Sequence, residues 1–311
     1  MVSRSNSINH FKHLWNWRTA LQIVFAILAI AIATAAWLNL RRNLRNLGFE
    51  LSFDFLNSQA SFNLRETPIA YQPSDSYSRA LVIGLLNSLK VSVVAVVAAT
   101  VFGITAGVSR LSKNWLLRQI ALVYVELFRN VPLLLQLFFW YSAVFLSLPK
   151  TGEPINLGAI SLSIEGVKLP WFQTTFSSEF SALVFGLTTF SSAFIAEIVR
   201  GGIQAIPKGQ TEAAKALGLK SGLVMRLIVL PQALRVIIPP LTSQYLNIAK
   251  NSSLAIAIGF EDVYAIASTT LNQTGRPVNV VLLLMGIYLG ISLFISSGMN
   301  LLNRRVQFVE R

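Results

Sequence analysis

Long apolar runs alternate with short polar segments along this chain. Six runs stand out, at residues 19–40, 80–108, 119–148, 180–199, 236–260 and 277–303. A bilayer core of ~30 Å takes about 20 helical residues at 1.5 Å each. All six reach or approach that length. The first and last are uncharged. The others hold only Lys90, then Glu126 with Arg129, then Glu197, then Lys250. Main-chain groups in hydrocarbon must bond within their own segment, so each run reads as a helix. The pattern predicts an all-α fold, a polytopic membrane helix bundle of six transmembrane helices. It divides as 1–78 (tail, first span and outer loop), 79–303 (transmembrane domain) and 304–311 (C-terminal tail).

Charge orients the bundle. Basic residues cluster in the tail (Arg4, Lys12, Arg18), in the second-to-third connection (Arg110, Lys113, Arg118), in the fourth-to-fifth (Arg200, Lys208, Lys215, Lys220, Arg226, Arg235) and at the end (Arg304, Arg305, Arg311). All four clusters fall on one side of a six-span bundle. Lys and Arg stay on the cytoplasmic side, so both termini are expected there. Arg41, Arg42 and Arg45 run against the rule. The first run exceeds the about 7–15 residues of a signal-peptide core, so it reads as a retained anchor. The loop at 41–78 reads as polar and external. The loop at 149–179 reads as turn-rich, with Trp171 and Phe172 as interface anchors.

Composition narrows the chemistry. Of 311 residues 53% are hydrophobic and 13% charged, against about 25% charged in soluble domains. The net charge of +13 therefore serves membrane orientation, not nucleic acid. Cysteine is absent, and the two histidines, His10 and His13, lie in the tail, so no metal site is expected. A membrane enzyme is disfavoured on the same grounds.

Residues 201–231 carry the most information. Pro207 and Gly209 punctuate the start. Residues 211–217 read as a short helix rich in alanine and leucine. Gly218 fits a left-handed cap. Ser221 fits the cap of a second helix ending before Pro231. Within this helix–turn–helix, Glu212, Ala213, Ala214, Gly218, Ile228, Leu230 and Pro231 stand at the spacing of the EAA loop. The segment resembles that loop of ABC importer permeases at every motif position. Residues 125–134, 194–204, 250–255 and 271–275 are similar to the polar amino-acid uptake family, nearest its general L-amino-acid and glutamate/glutamine-type branch. The likeness covers residues from about 78 onward.

The resemblance implies a machine. Two ATP-binding subunits grip the loop around Gly209, Glu212 and Gly218. A second permease chain, forming a heterodimer, completes the path, and a periplasmic amino-acid-binding protein delivers the substrate. The chain itself has no Gly-x4-Gly-Lys-Ser/Thr phosphate cradle, so it is expected to be no enzyme and to hold no cofactor, ATP being used by the partner.

Charged groups within spans are costly and are candidates for function. Glu197 and Arg200 are expected close to the cytoplasmic end of the fourth span, and Arg129 as deep as Lys90, entering from the cytoplasmic side. Glu126 and Arg129, three apart, are expected to pair. Lys90 is expected near the midplane. Asn247, Lys250, Asn251, Ser252 and Ser253 form a polar patch on the fifth span. An amino-acid zwitterion needs a donor for its carboxylate and an acceptor for its ammonium, which Lys90 or Lys250 with these Ser and Asn groups can supply. The alternatives are ion pairing, snorkelling or interhelical hydrogen bonds. A lone secondary transporter is the competing class, weakened by the lack of an inverted repeat.

Overall fold

The computed structural model describes residues 17–46, 52–150, 152–170 and 175–306. Arg4, His10, Lys12, His13, Trp171, Phe172 and Arg311 lie outside them. Two compact units divide after Phe53. Among the described residues the first unit holds one helix, α1 (Trp17–Asn46), whose apolar side chains are exposed all round. That is the pattern of a helix whose solvent is lipid.

The second unit begins with the outer loop, so residues 54–76 belong to the bundle. A 3-10 turn (Asp54–Asn57) places Phe55 in a small core with Ala60, Tyr77, Leu81, Ile266 and Val280. Tyr71 Oη donates to the Phe62 carbonyl at 2.9 Å and closes the loop. Ser76 caps α2 (Tyr77–Ser109), and Asn114 Oδ1 caps α3 (Trp115–Asn130) by accepting from the N–H groups of Leu116 and Leu117.

The third expected span is not one straight helix. Asn130 ends α3, Pro132 precedes α4 (Leu133–Phe138), and the two directions differ by 105°. Proline forces its predecessor out of the helical region, and Val131 is extended. The freed carbonyls of Phe128 and Val131 both accept from Gln136 Nε2 at 2.9 Å. A π-turn (Phe139–Val144) and a 3-10 turn (Phe145–Ser147) complete the bent pair. Among the described residues, five helices are long and apolar enough to cross a membrane, or six if the bent pair counts as one.

The loop at 149–179 is more ordered than its turn-rich composition suggests. Four short strands, β1 (Ile155–Leu157), β2 (Ile160–Ser163), β3 (Gly166–Lys168) and β4 (Thr175–Ser177), form an antiparallel meander. Ser177 then caps α5 (Ser178–Gln204), its Oγ accepting from Phe180 N at 3.1 Å.

The central contact is α2 against α5. A Cβ on Gly103 would lie 2.6 Å from Ile195, and one on Gly107 2.6 Å from the Ala196 carbonyl. Small residues let the two backbones touch, as apolar packing in lipid requires. Beyond α5 come α6 (Lys208–Ala216), α7 (Ser221–Val224), a π-turn (Met225–Val229) and α8 (Leu230–Asn251). A 3-10 turn (Ser252–Ile258), α9 (Val263–Thr274) and α10 (Pro277–Val306) finish the bundle.

Candidate functional site

The α5–α8 connection is built as a rigid protrusion. Pro207 stands at the cap position of α6, where its missing N–H costs nothing. At the other end Gly218 adopts φ +83°, a conformation that a Cβ would strain. Its N–H donates to the Lys215 carbonyl at 2.9 Å, and that of Leu219 to Ala214 at 3.2 Å. This paired closure is the Schellman ending, here with Leu219 packed against the small core of Ala214, Val224 and Val229. Ala214 is buried with Val224 and Val229, and Ile203, Ile206 and Ile228 pack beside them. The motif residues therefore divide into two groups. Ala214, Ile228 and Pro231 seat the protrusion, whereas Gly209, Glu212, Ala213 and Gly218 face outward, as does Leu230.

Two local expectations fail. Lys220, not Ser221, occupies the cap position of α7. The second helix does not end before Pro231, because proline falls in the first turn of α8 and continues from the π-turn. That turn is where a helix needs no donor. Sequence reading also missed Leu217, which is 83% exposed beside the cap glycine. It is the last residue before the left-handed turn at Gly218.

Near the same end, Glu197 is held between Arg110 and Arg200, the latter at 2.8 Å. Arg200 also donates to Gln204. The expected Glu126–Arg129 pair does not form. Glu126 accepts from Asn130 at 3.4 Å, and the Arg129 guanidinium lies over the Phe194 ring at 5.2 Å. Asn130, one turn on, takes Glu126, while Arg129 turns across to a ring on α5. Arg110, read as a loop charge, is in fact part of this cluster.

At the opposite end of α2 lies a polar cavity of about 550 Å³. The 54–76 loop brings Arg65 and Glu66 to it, α2 brings Lys90, and α5 brings Glu179. Glu165, Phe176 and Glu261 also line it. Lys90 is not isolated at the midplane. It lies about 20 Å along α2 from Tyr77, with its Nζ 3.6 Å from the Glu66 carboxylate and 4.5 Å from the centre of the Phe180 ring. Asn87 Nδ2 donates to the carbonyls of Glu66 and Glu261 at 2.9 and 3.0 Å, pinning two loops to α2. Glu261 Oε2 in turn accepts the N–H groups of Arg65 and Glu66. Burial raises the pKa of Glu261 and those two N–H donors lower it, with burial the larger effect.

The α8 patch does not line this cavity. Ser243, Asn247 and Lys250 are exposed on one face and Asn251 is half-buried. Ser252 is wholly buried, its hydroxyl turned back to the Ala249 carbonyl at 2.8 Å, and Ser253 bonds to Lys250 O in the same way. Ser252 therefore presents no group to an open path, and Lys90 and the α8 residues form two places, not one.

This arrangement can be compared with known proteins. The family described as the binding-protein-dependent transport system inner membrane component matches residues 99–308. The chain belongs to this family. It is an inner-membrane, multi-pass permease component of a binding-protein-dependent importer, and its ATPase resides in separate subunits. Among permeases, the chain is 36% identical to the general L-amino acid transport system permease protein AapQ of Rhizobium johnstonii, over 96% of each chain. It is 36% identical to the glutamate/glutamine/aspartate/asparagine permease BztB of Rhodobacter capsulatus, over 94% of each. Among solved structures, an amino acid ABC transporter crystallised with histidines aligns at TM-score 0.59 and 29% identity, covering 74% of this chain and 95% of that one. The methionine transporter MetNI, at 21% identity and TM-score 0.53, shares the permease fold.

Proposed function

We infer that this permease carries amino acids from a periplasmic binding protein into the cytoplasm by alternating access, powered by ATP-binding subunits. The observation that carries this reading is the near full-length likeness to permeases named for general L-amino-acid and glutamate-type transport. The geometry of the α5–α8 connection supports it. A capped helix with an exposed Glu212, Leu217 and Gly218 is a surface made to be held by another protein. A helix locked between two spans biases a two-state bundle when its partner closes.

The finer assignments follow from the same reading. The 79–303 region is the transporting domain, the basic α5–α8 connection faces the cytoplasm, and both termini lie there. A second, non-identical permease chain completes the path. The open face of α8 with Asn247, Lys250 and Asn251 lines it, and no cofactor is held by this chain.

Co-purification with candidate ATP-binding, permease and binding-protein partners tests the proposal. The assembled complex should hydrolyse ATP faster when a loaded binding protein is added. Uptake by this chain alone, without ATP or an ATPase, would sink the reading.

A further inference from the structure

The outer cavity holds two cations of different kinds. Arg65 belongs to the loop, with its side chain largely in solvent, and bridges to Glu179 at 3.3 Å. Lys90 belongs to the bundle. Its ammonium sits by the ring faces of Phe176 and Phe180, at 5.2 and 4.5 Å. Aromatic faces hold a cation in place without removing its charge. That charge is directed at the cavity, where the Glu66 carboxylate meets it at 3.6 Å.

Glu66 is anchored by its main chain and not by its carboxylate. Its N–H donates to Glu261 at 3.2 Å, and its carbonyl accepts from Asn87 at 2.9 Å. The carboxylate can therefore swing away about its own side-chain torsions while the loop stays fixed. Glu165, Glu179 and Glu261 also line the cavity. One firmly placed ammonium faces a rim of carboxylates, which is the complement of a zwitterion. The volume of about 550 Å³ lies within the about 300–1,000 Å³ of small-molecule sites.

We propose that this cavity is an entry site for the amino-acid zwitterion, in which Lys90 binds the substrate carboxylate and Glu66 is a tethered stand-in that gives up the position as substrate arrives. The substrate ammonium then turns to the Glu165 and Glu179 rim. The proposal rests on the import reading above and adds a place and a chemistry to it. It makes the outer loop part of the path, with Glu66 competing for the same cation as the cargo.

The test uses the whole importer in proteoliposomes, with its ATP-binding subunits and binding protein, and radiolabelled L-glutamate, L-glutamine and L-leucine as probes. Lys90→Met should lower uptake of every transported probe by about ten-fold or more, and Lys90→Arg should restore most of it. Glu66→Gln removes the competitor and should raise uptake at limiting substrate by about two-fold. The charge exchange Glu66→Lys with Lys90→Glu should stay as low as Lys90→Met. Recovery in the exchanged pair would show an ordinary structural ion pair and overturn the proposal. So would wild-type uptake by Lys90→Met, or a loss in Glu66→Gln matching that in Lys90→Met. Co-elution with the ATP-binding subunits verifies assembly. If Lys90→Met does not assemble, the Glu66→Gln result decides by itself. Failure of the unaltered complex to take up any probe would instead refute import, and the entry site with it.

Discussion

Asp262 caps α9 from a position with no exposure, its Oδ1 accepting from Ala265 N–H at 2.8 Å. It lies between the spanning segments, and burial pushes its pKa up from 3.8 to about 7, against the pull of its main-chain donors. The folded state thus keeps a proton that the unfolded chain has released. Its contribution to stability is full below pH 3.8 and is lost as pH rises toward 7. Thermal unfolding of the detergent-solubilised protein should show a midpoint falling across that window. In Asp262→Asn, which keeps the cap, this part of the slope should vanish. Asp262 stands in the sequence only as an acid just past an apolar run, with nothing to mark its burial. Gly218 was legible in full, because a glycine after an alanine-rich turn has few other roles. Ser252 was misread. A hydroxyl at helical spacing counts as part of a polar face, but its bond to the i−3 carbonyl closed it off.

At the scale of elements, hydropathy located every long helix and missed what breaks them. Residues 119–148 are mostly apolar on both sides of Pro132, so the proline was absorbed into one span. The deciding signal was local: proline followed four residues later by Gln136, whose amide returns to the two freed carbonyls. Gln136→Met should strand both and cost about 1–3 kcal/mol, read as a lowered denaturation midpoint. The sheet of residues 155–177 went unseen because its strands are three or four residues long, below the length at which alternation is readable. The α6 segment was read well for the opposite reason, since its cap, propensity and spacing agree. Leu217 gives that element a sharp test. Because it is 83% exposed, Leu217→Asp should leave the midpoint of unfolding unchanged. The same change should cut binding-protein-stimulated ATP hydrolysis by about ten-fold or more, if the ATPase grips this surface.

For the whole molecule, the span count and the likeness to importer permeases were both within reach of the sequence. The folding of residues 54–76 onto the bundle was not, because it depends on contacts between distant parts of the chain, such as the Arg276 guanidinium over the Phe55 ring at 5.8 Å. Sidedness follows from charge and is open to direct measurement. The natural chain has no cysteine, so a single introduced thiol reports without background. Leu217→Cys should react with a membrane-impermeant maleimide only from the cytoplasmic side. Ile164→Cys should react only from the outside. Exchange of the two results would reverse the topology, and labelling of both from one face would break it.

The glycine contact between α2 and α5 has a mechanical corollary. Where Gly103 and Gly107 press against Ile195 and Ala196, no side chain remains to act as a cushion. The pair is built to move as one stiff beam, with α5 alone reaching about 40 Å. The connection carrying α6 leaves one end of α5, Glu179 stands at the other, and Lys90 lies partway along α2. On the import reading, a tug on α6 by the motor would arrive at the cavity almost undamped, gearing that chamber directly to the nucleotide cycle.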